Sequence, residues 1–279
     1  MVNLSNLFDI ARNLYALPAY NNRSGLAPMP LRYFFELTYR CNLNCPYCYV
    51  GNDRKKEELT TDEWFKIIEQ IPWYSFVTLV GGEPLVRKDF IDILMKTAKK
   101  TFGKLNVVSN GILINDDIID AFIKSKMMLL SVSLDGYGRN HDINRAKDGI
   151  WDKIMNNFEN MNSCKKRPMI DIKTIVLENN LDDLVKLYKM CDEKNFNFLS
   201  ISFLRNNSLK QNSVLFDSFV PEFNANYPIE KYFDMEHFKE VYKELMCLSR
   251  KSKVKIRFSP KFEYSENPLD KIEEFFNTP

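Results

Sequence analysis

The stretch Glu36-Leu37-Thr38-Tyr39-Arg40-Cys41-Asn42-Leu43-Asn44-Cys45-Pro46-Tyr47-Cys48-Tyr49 decides how the rest of the chain is read. It holds three cysteines, Cys41, Cys45 and Cys48, in a CxxxCxxC array. The apolar, aromatic-rich run 31–37 precedes them without Gly or Pro and reads as a strand. The cysteines therefore stand on the loop that leaves a strand. Three thiolates are one fewer than a closed four-cysteine metal or cluster site requires. Three ligands on one loop suit a [4Fe-4S] cluster with one iron free of protein ligands and open to a small molecule. A structural zinc site is the alternative, but the only histidines are His141 and His237, and neither lies near the loop in sequence.

Outward from this loop the chain alternates. Thr60 or Thr61 caps a helix running to about Gln70, with Asp62 and Glu63 in its first turn. A second strand, 76–80, stops at Gly81-Gly82-Glu83-Pro84. Helix 89–100 leads to strand 105–109, which ends at Asn110-Gly111. Helix 116–125 leads to strand 128–134, which ends at Asp135-Gly136. A loop then carries Arg139, His141, Asp142 and Arg145. Helix 151–163, strand 169–176, helix 181–194 and strand 198–203 follow.

Strict strand–helix alternation implies an α/β fold with a parallel sheet, whose ligands bind at the carboxyl ends of the strands. The expected architecture is a partial (β/α)6 TIM-like barrel over 31–205. A short N-terminal helix and loop occupy 1–30, and an irregular α/β C-terminal extension occupies 206–279. In that extension the alternation stops, with a helix over 234–252, a strand over 253–259 and a short helix near 270–276. Each polar or glycine-rich cluster follows a strand, so all of them should share one rim.

Composition is ordinary for a globular protein, 45% hydrophobic and 27% charged. A net charge of +2 gives no reason to expect nucleic acid or an anionic membrane as a partner. Asp9 and Arg12 interrupt the N-terminal apolar residues, so no signal peptide is read there, and no run is long and apolar enough to span a bilayer. The cysteine pattern is not that of a secreted disulfide framework, and a reducing cytoplasm is expected.

CxxxCxxC, followed one strand–helix unit later by Gly-Gly-Glu-Pro, closely resembles the radical SAM enzymes. Tyr47 fits the aromatic commonly found before their third cysteine. The resemblance implies that Cys41, Cys45 and Cys48 ligate a [4Fe-4S] cluster and that S-adenosylmethionine chelates the open iron. Reductive cleavage would then yield a 5′-deoxyadenosyl radical that takes hydrogen from a substrate. A reductant such as flavodoxin or ferredoxin is implied as well. The resemblance assigns Gly81, Gly82, Glu83 and Pro84 to the methionine amino group. It places Asn110, Ser133 and Asp135 near the cofactor, and makes Arg145 a candidate for pairing its carboxylate. Ordinary turn chemistry would account for Asn110-Gly111 equally well, and a local backbone bond for Ser133.

The segment His141 to Arg145 resembles that of peptide-modifying members, so a peptide or protein substrate is the first expectation, in the manner of a maturase. A sugar or other small metabolite is the second. A non-enzymatic iron–sulfur or zinc protein is the reading from another class. Cys164, Cys191 and Cys247 stand alone and are expected to be buried structural thiols away from the rim. The cysteine-rich SPASM or twitch region of many such enzymes is missing; either one cluster suffices or further C-terminal sequence is needed.

Overall fold

The computed structural model describes residues 28–48, 50, 57–203, 234–259 and 269. The expected N-terminal helix and the short helix near 270–276 lie outside the described residues. Local chemistry sets many of the element ends. Helix α1 (Thr61–Gln70) opens on a reciprocal capping box: the Glu63 backbone N–H donates to Thr60 Oγ1, and Glu63 Oε2 accepts from Thr60 N at 2.8 Å. Helix α2 (Phe90–Thr101) closes on Phe102 in the left-handed region, followed by Gly103. Asn115 caps α3 (Asp116–Ser125) by accepting from Ile118 N at 3.0 Å.

Strands β1 (Arg32–Glu36), β2 (Phe76–Val80), β3 (Leu105–Ser109), β4 (Leu129–Ser133), β5 (Met169–Val176) and β6 (Phe198–Phe203) pair in parallel, in chain order. Helices α5 (Ile150–Asn162) and α6 (Leu181–Glu193) provide the later crossovers. The alternation expected to stop after Phe203 resumes: α7 (Met235–Ser249) leads to β7 (Lys255–Ser259), which pairs in parallel with β6. Among the described residues the sheet thus has seven strands. The long polar stretch before α7 conceals this continuation in the sequence, because whether a distant strand joins a sheet depends on the free edge that β6 offers. Among the described residues β1 pairs only with β2 and β7 only with β6, and the barrel is open, as expected.

Alternation along each strand separates two environments. Val77, Leu79, Leu105, Val107, Leu130, Val132, Ile170, Ile172, Leu199 and Ile201 are all fully buried in the core with apolar helix residues such as Ile93, Phe122 and Leu184. Each such side chain contributes about 1.5–3 kcal/mol on removal from water. The intervening residues, among them Thr78, Asn106, Ser131, Asp171 and Ser200, face the lumen and are polar. The apolar face fixes the barrel wall and leaves the lumen and its rim for chemistry. Among the described residues, no helix is long and apolar enough to cross a membrane.

Candidate active site

The cysteine loop and the glycine turn are locked together by backbone. Leu37 N donates to Val80 O at 2.9 Å, Gly82 N to Thr38 O at 2.7 Å, and Glu83 N to Arg40 O at 2.8 Å. The β1–β2 ladder therefore continues into both rim loops. A Cβ on Gly81 would stand 2.4 Å from Thr38 O, and one on Gly82 would stand 2.4 Å from Arg40 O. The glycines are required by this backbone approach as much as by any ligand.

Charged residues that the sequence reading passed over tie down the stems of the loop. Arg40 forks onto Glu58 through Nε at 3.0 Å and NH2 at 2.9 Å, and the Thr38 hydroxyl also donates to Glu58. The bond from Arg40 holds the Glu58 carboxyl below its ordinary pKa. Arg87 is buried; it donates to Leu37 O at 2.9 Å and Leu59 O at 3.0 Å while its NH2 pairs with Asp89 at 2.6 Å. Glu58 and Arg87 thereby hold together the two ends of the chain that carries the cysteines. In sequence they are ordinary charged residues between turns, and no spacing sets them apart.

A cavity of about 450 Å³ opens at the rim. Cys41, Cys45, Cys48, Tyr47, Gly81, Gly82, Asn110, Ser133 and Arg145 all line it. Hydrogen-bond donors face two of the sulfurs: Leu43 N lies 3.4 Å and Asn110 Nδ2 3.9 Å from Cys41 Sγ, and Arg145 NH1 lies 3.7 Å from Cys45 Sγ. Burial pushes the Cys45 thiol up, and the Arg145 charge works against that shift. Donors aimed at sulfur suit thiolate ligands. Among the described residues, no three His, Cys, Asp or Glu side chains are grouped so as to share a single metal ion. A cubane cluster, with its irons at separate corners, takes one thiolate at each of three corners and leaves the fourth iron open, a demand that three cysteines on one loop suit.

Three of the expected cofactor residues, Glu83, Pro84 and Asp135, lie behind the lining, and each of the two carboxylates organises other site residues. The Glu83 carboxylate accepts from Leu85 N at 3.1 Å, Ser109 Oγ at 2.9 Å and Asn110 N at 2.7 Å. It thus joins the turn Pro84–Val86 to the end of β3 and sets Asn110. Burial raises its pKa to about 7 against the pull of these donors.

Asp135 Oδ2 takes Tyr47 Oη at 2.6 Å and Arg145 NH2 at 2.5 Å, while Oδ1 takes Ile175 N at 2.8 Å. Its own N–H donates to His141 Nδ1 at 3.1 Å, and its carbonyl accepts from Asn144 and Asn180. Burial drives the His141 pKa down to about 4, so the ring is neutral at pH 7, and the bond at Nδ1 places its proton on Nε2. Burial alone would lower the pKa of Arg145, but Asp135 overrides it and the net shift is upward. The segment expected as a loop here contains a short helix, α4 (Arg139–Asn144). It has no side-chain cap and is too short to show a period; its contacts to Asp135 hold it in place.

Of the isolated cysteines, Cys191 is fully buried as expected. Cys164 is only partly buried, and Cys247 is exposed, because α7 buries the face of Phe238, Val241 and Leu245. None of the three lines the cavity.

The comparisons with known proteins agree with this fold. The Bacillus subtilis sporulation killing factor maturation protein SkfB is 27% identical over 166 residues, covering 58% of this chain and 40% of the relative. Streptococcus suis SuiB bound to S-adenosylmethionine superposes with a TM-score of 0.69 at 16% identity, over 91% of this chain and 56% of that one. SuiB bound to precursor peptide SuiA gives 0.68 at 15% identity, over 98% and 60%. The chain is thus well short of the full length of these relatives. A family model described as the radical SAM superfamily matches residues 35–191, more than half of the chain. The chain therefore belongs to the radical SAM superfamily, enzymes whose cofactors are a [4Fe-4S] cluster and S-adenosylmethionine.

Proposed function

We propose that Cys41, Cys45 and Cys48 hold the [4Fe-4S] cluster in this cavity and that the enzyme modifies a peptide. The observation that carries the reading is the convergence of the three cysteines, Gly81, Gly82, Asn110, Ser133 and Arg145 on one cavity. When bound, the cluster supplies the electron that cleaves S-adenosylmethionine to a 5′-deoxyadenosyl radical, a flavodoxin- or ferredoxin-type donor having reduced it. The protein's own part is positioning. Gly81 and Gly82 present backbone groups to the methionine end, with Glu83 fixing the turn from behind. Arg145, held by Asp135, offers positive charge beside Cys45 for the methionine carboxylate. Peptide as substrate is supported by the likeness to a maturation protein and to an enzyme solved with its precursor peptide.

Anaerobic reconstitution tests the reading. About four irons per chain are expected for one cubane cluster, with 5′-deoxyadenosine formed on reduction in the presence of S-adenosylmethionine. Alanine at Cys41, Cys45 or Cys48 should abolish both, and alanine at Cys164 or Cys247 should abolish neither. One zinc and no iron in the wild type would overturn the assignment. For the substrate, deuterium carried from a labelled candidate peptide into 5′-deoxyadenosine is expected; transfer from a sugar alone would exclude the peptide.

A further inference from the structure

Among the described residues, the barrel lumen beside the cavity presents more cations than its one deeply buried carboxylate, Asp171, can occupy. Ser133, which lines the cavity, is in register with Lys173, Lys173 with Ser200, and Ser200 with Arg257. This inward row runs continuously from the site to the open edge at β7. Asp171, 1% exposed, is already engaged by Ser200 Oγ at 2.6 Å and Ser131 Oγ at 3.3 Å. Lys173 Nζ stands 3.6 Å and Arg257 NH1 4.0 Å from Asp171 Oδ2. Both separations exceed the roughly 2.7–2.9 Å of a charge-assisted hydrogen bond. The two cationic side chains remain 41% and 46% exposed.

Arg32 completes the group from the opposite edge. It has the strand parity of Phe34 and Glu36, which line the cavity. Its NH2 donates to Thr78 Oγ1, an inward side chain of β2, at 3.5 Å, and burial, then the charge of Arg257, lower its pKa. Each lies over an aromatic ring, Arg257 at 3.4 Å from the Phe198 centroid and Arg32 at 4.8 Å from that of Phe34. Stacking fixes the guanidinium planes and leaves N–H edges available to an incoming acceptor. Glu36, an inward carboxylate on β1, accepts from the Tyr39 hydroxyl at 3.5 Å at the cavity end.

We propose that Arg32, Lys173 and Arg257 form a carboxylate-binding site that anchors the substrate peptide in the lumen, through an acidic side chain or through its C-terminal carboxylate. The proposal rests on the peptide reading above and adds the chemistry by which the peptide is recognised.

The test titrates reconstituted enzyme, with and without S-adenosylmethionine, with three acetylated alanine pentapeptides. One has a central Glu and an amidated end, one a central Gln and an amidated end, and one a free C-terminal carboxylate. At least one carboxylate peptide should bind roughly tenfold or more tighter than the Gln peptide. That preference should disappear in Arg257→Gln and Lys173→Gln and persist in Lys124→Gln, an exposed control on α3. Preference for the Glu peptide identifies a side chain as the anchor, and preference for the free acid identifies the terminus. Equal binding of all three, no binding of any at millimolar concentration, or a preference that survives in the Arg257→Gln/Lys173→Gln double variant overturns the proposal. Loss of S-adenosylmethionine binding in the wild type would instead strike the functional reading, while the peptide comparison would still decide this site.

Discussion

Asp135 and Arg145 meet with Oδ2 only 2.5 Å from NH2, in a place where Asp135 is fully buried and Arg145 is 13% exposed. Through this pair the end of β4 reaches the cysteine loop, because Arg145 continues to Cys45 and Tyr47 bonds the same carboxylate oxygen. Burial first, and then the Asp135 charge, raise the Tyr47 pKa, so the phenol keeps its proton and donates.

Asp135→Asn keeps the shape of the side chain but leaves the Arg145 charge uncompensated. Removing one partner of a buried pair costs about 3–5 kcal/mol, and the residual exposure of Arg145 places the expected loss near the lower end. Urea unfolding should show it. The Asp135→Asn/Arg145→Met double variant should lose less than the sum of the two single changes. Strict additivity would mean that the residues are not energetically coupled.

Arg145→Ala should weaken S-adenosylmethionine binding by roughly tenfold to a hundredfold, the scale of a lost charge-assisted hydrogen bond. Calorimetric titration of the reconstituted enzyme measures it. An unchanged affinity would restrict Arg145 to holding Cys45 and Tyr47 in place.

Two glycines should respond differently to alanine. In Gly82→Ala the new methyl meets Arg40 O at 2.4 Å and Tyr39 O at 2.7 Å, both backbone atoms of the cysteine loop. Iron incorporation should fall severely. At Gly138 the same methyl meets nothing within 4 Å, and only its backbone conformation, φ +60° with ψ −131°, opposes the change. Gly138→Ala should cost about 1–3 kcal/mol and leave iron content at wild-type level. Equal iron loading of both variants would show that the close approach at Gly82 does not govern the loop.

Glu83 sets a pH dependence. Its pKa in the fold, about 7, lies above the ordinary 4.5, so between these values the folded state binds more protons than the unfolded state. Its contribution to stability is complete below about pH 4.5 and is lost as pH rises through 7. The size is on the order of a few kcal/mol at 1.36 kcal/mol per unit. His141, with a pKa lowered to about 4, acts with the opposite sign over a lower window. Comparing the wild type with Glu83→Gln isolates the carboxyl, and the variant should lack the decline between pH 5 and 8. The same decline in both proteins would assign it to other groups.

The sequence by itself determined the strand–helix order and the placing of the functional loops after strands. Both are written in local terms: apolar runs of strand length, capping residues such as Thr60 and Asn115, and turn residues after each strand. Cys41, Cys45 and Cys48 were marked by their spacing, and Gly81, Gly82, Asn110, Ser133 and Arg145 only by the family resemblance laid over their positions after strands; the structure brings all eight to one cavity. Tertiary structure alone decided what depends on contacts between distant segments. It added β7 to the sheet by offering the free edge of β6. It set Glu83 and Asp135 behind the lining as holders of Asn110 and Arg145, because a carboxylate's partners are fixed by the elements that surround it. It recruited Glu58 and Arg87 to the stems of the cysteine loop, and Arg32, Lys173 and Arg257 to the lumen. A charged residue in sequence carries no mark of which face of a strand it will occupy until the sheet curves and gives that strand an inside.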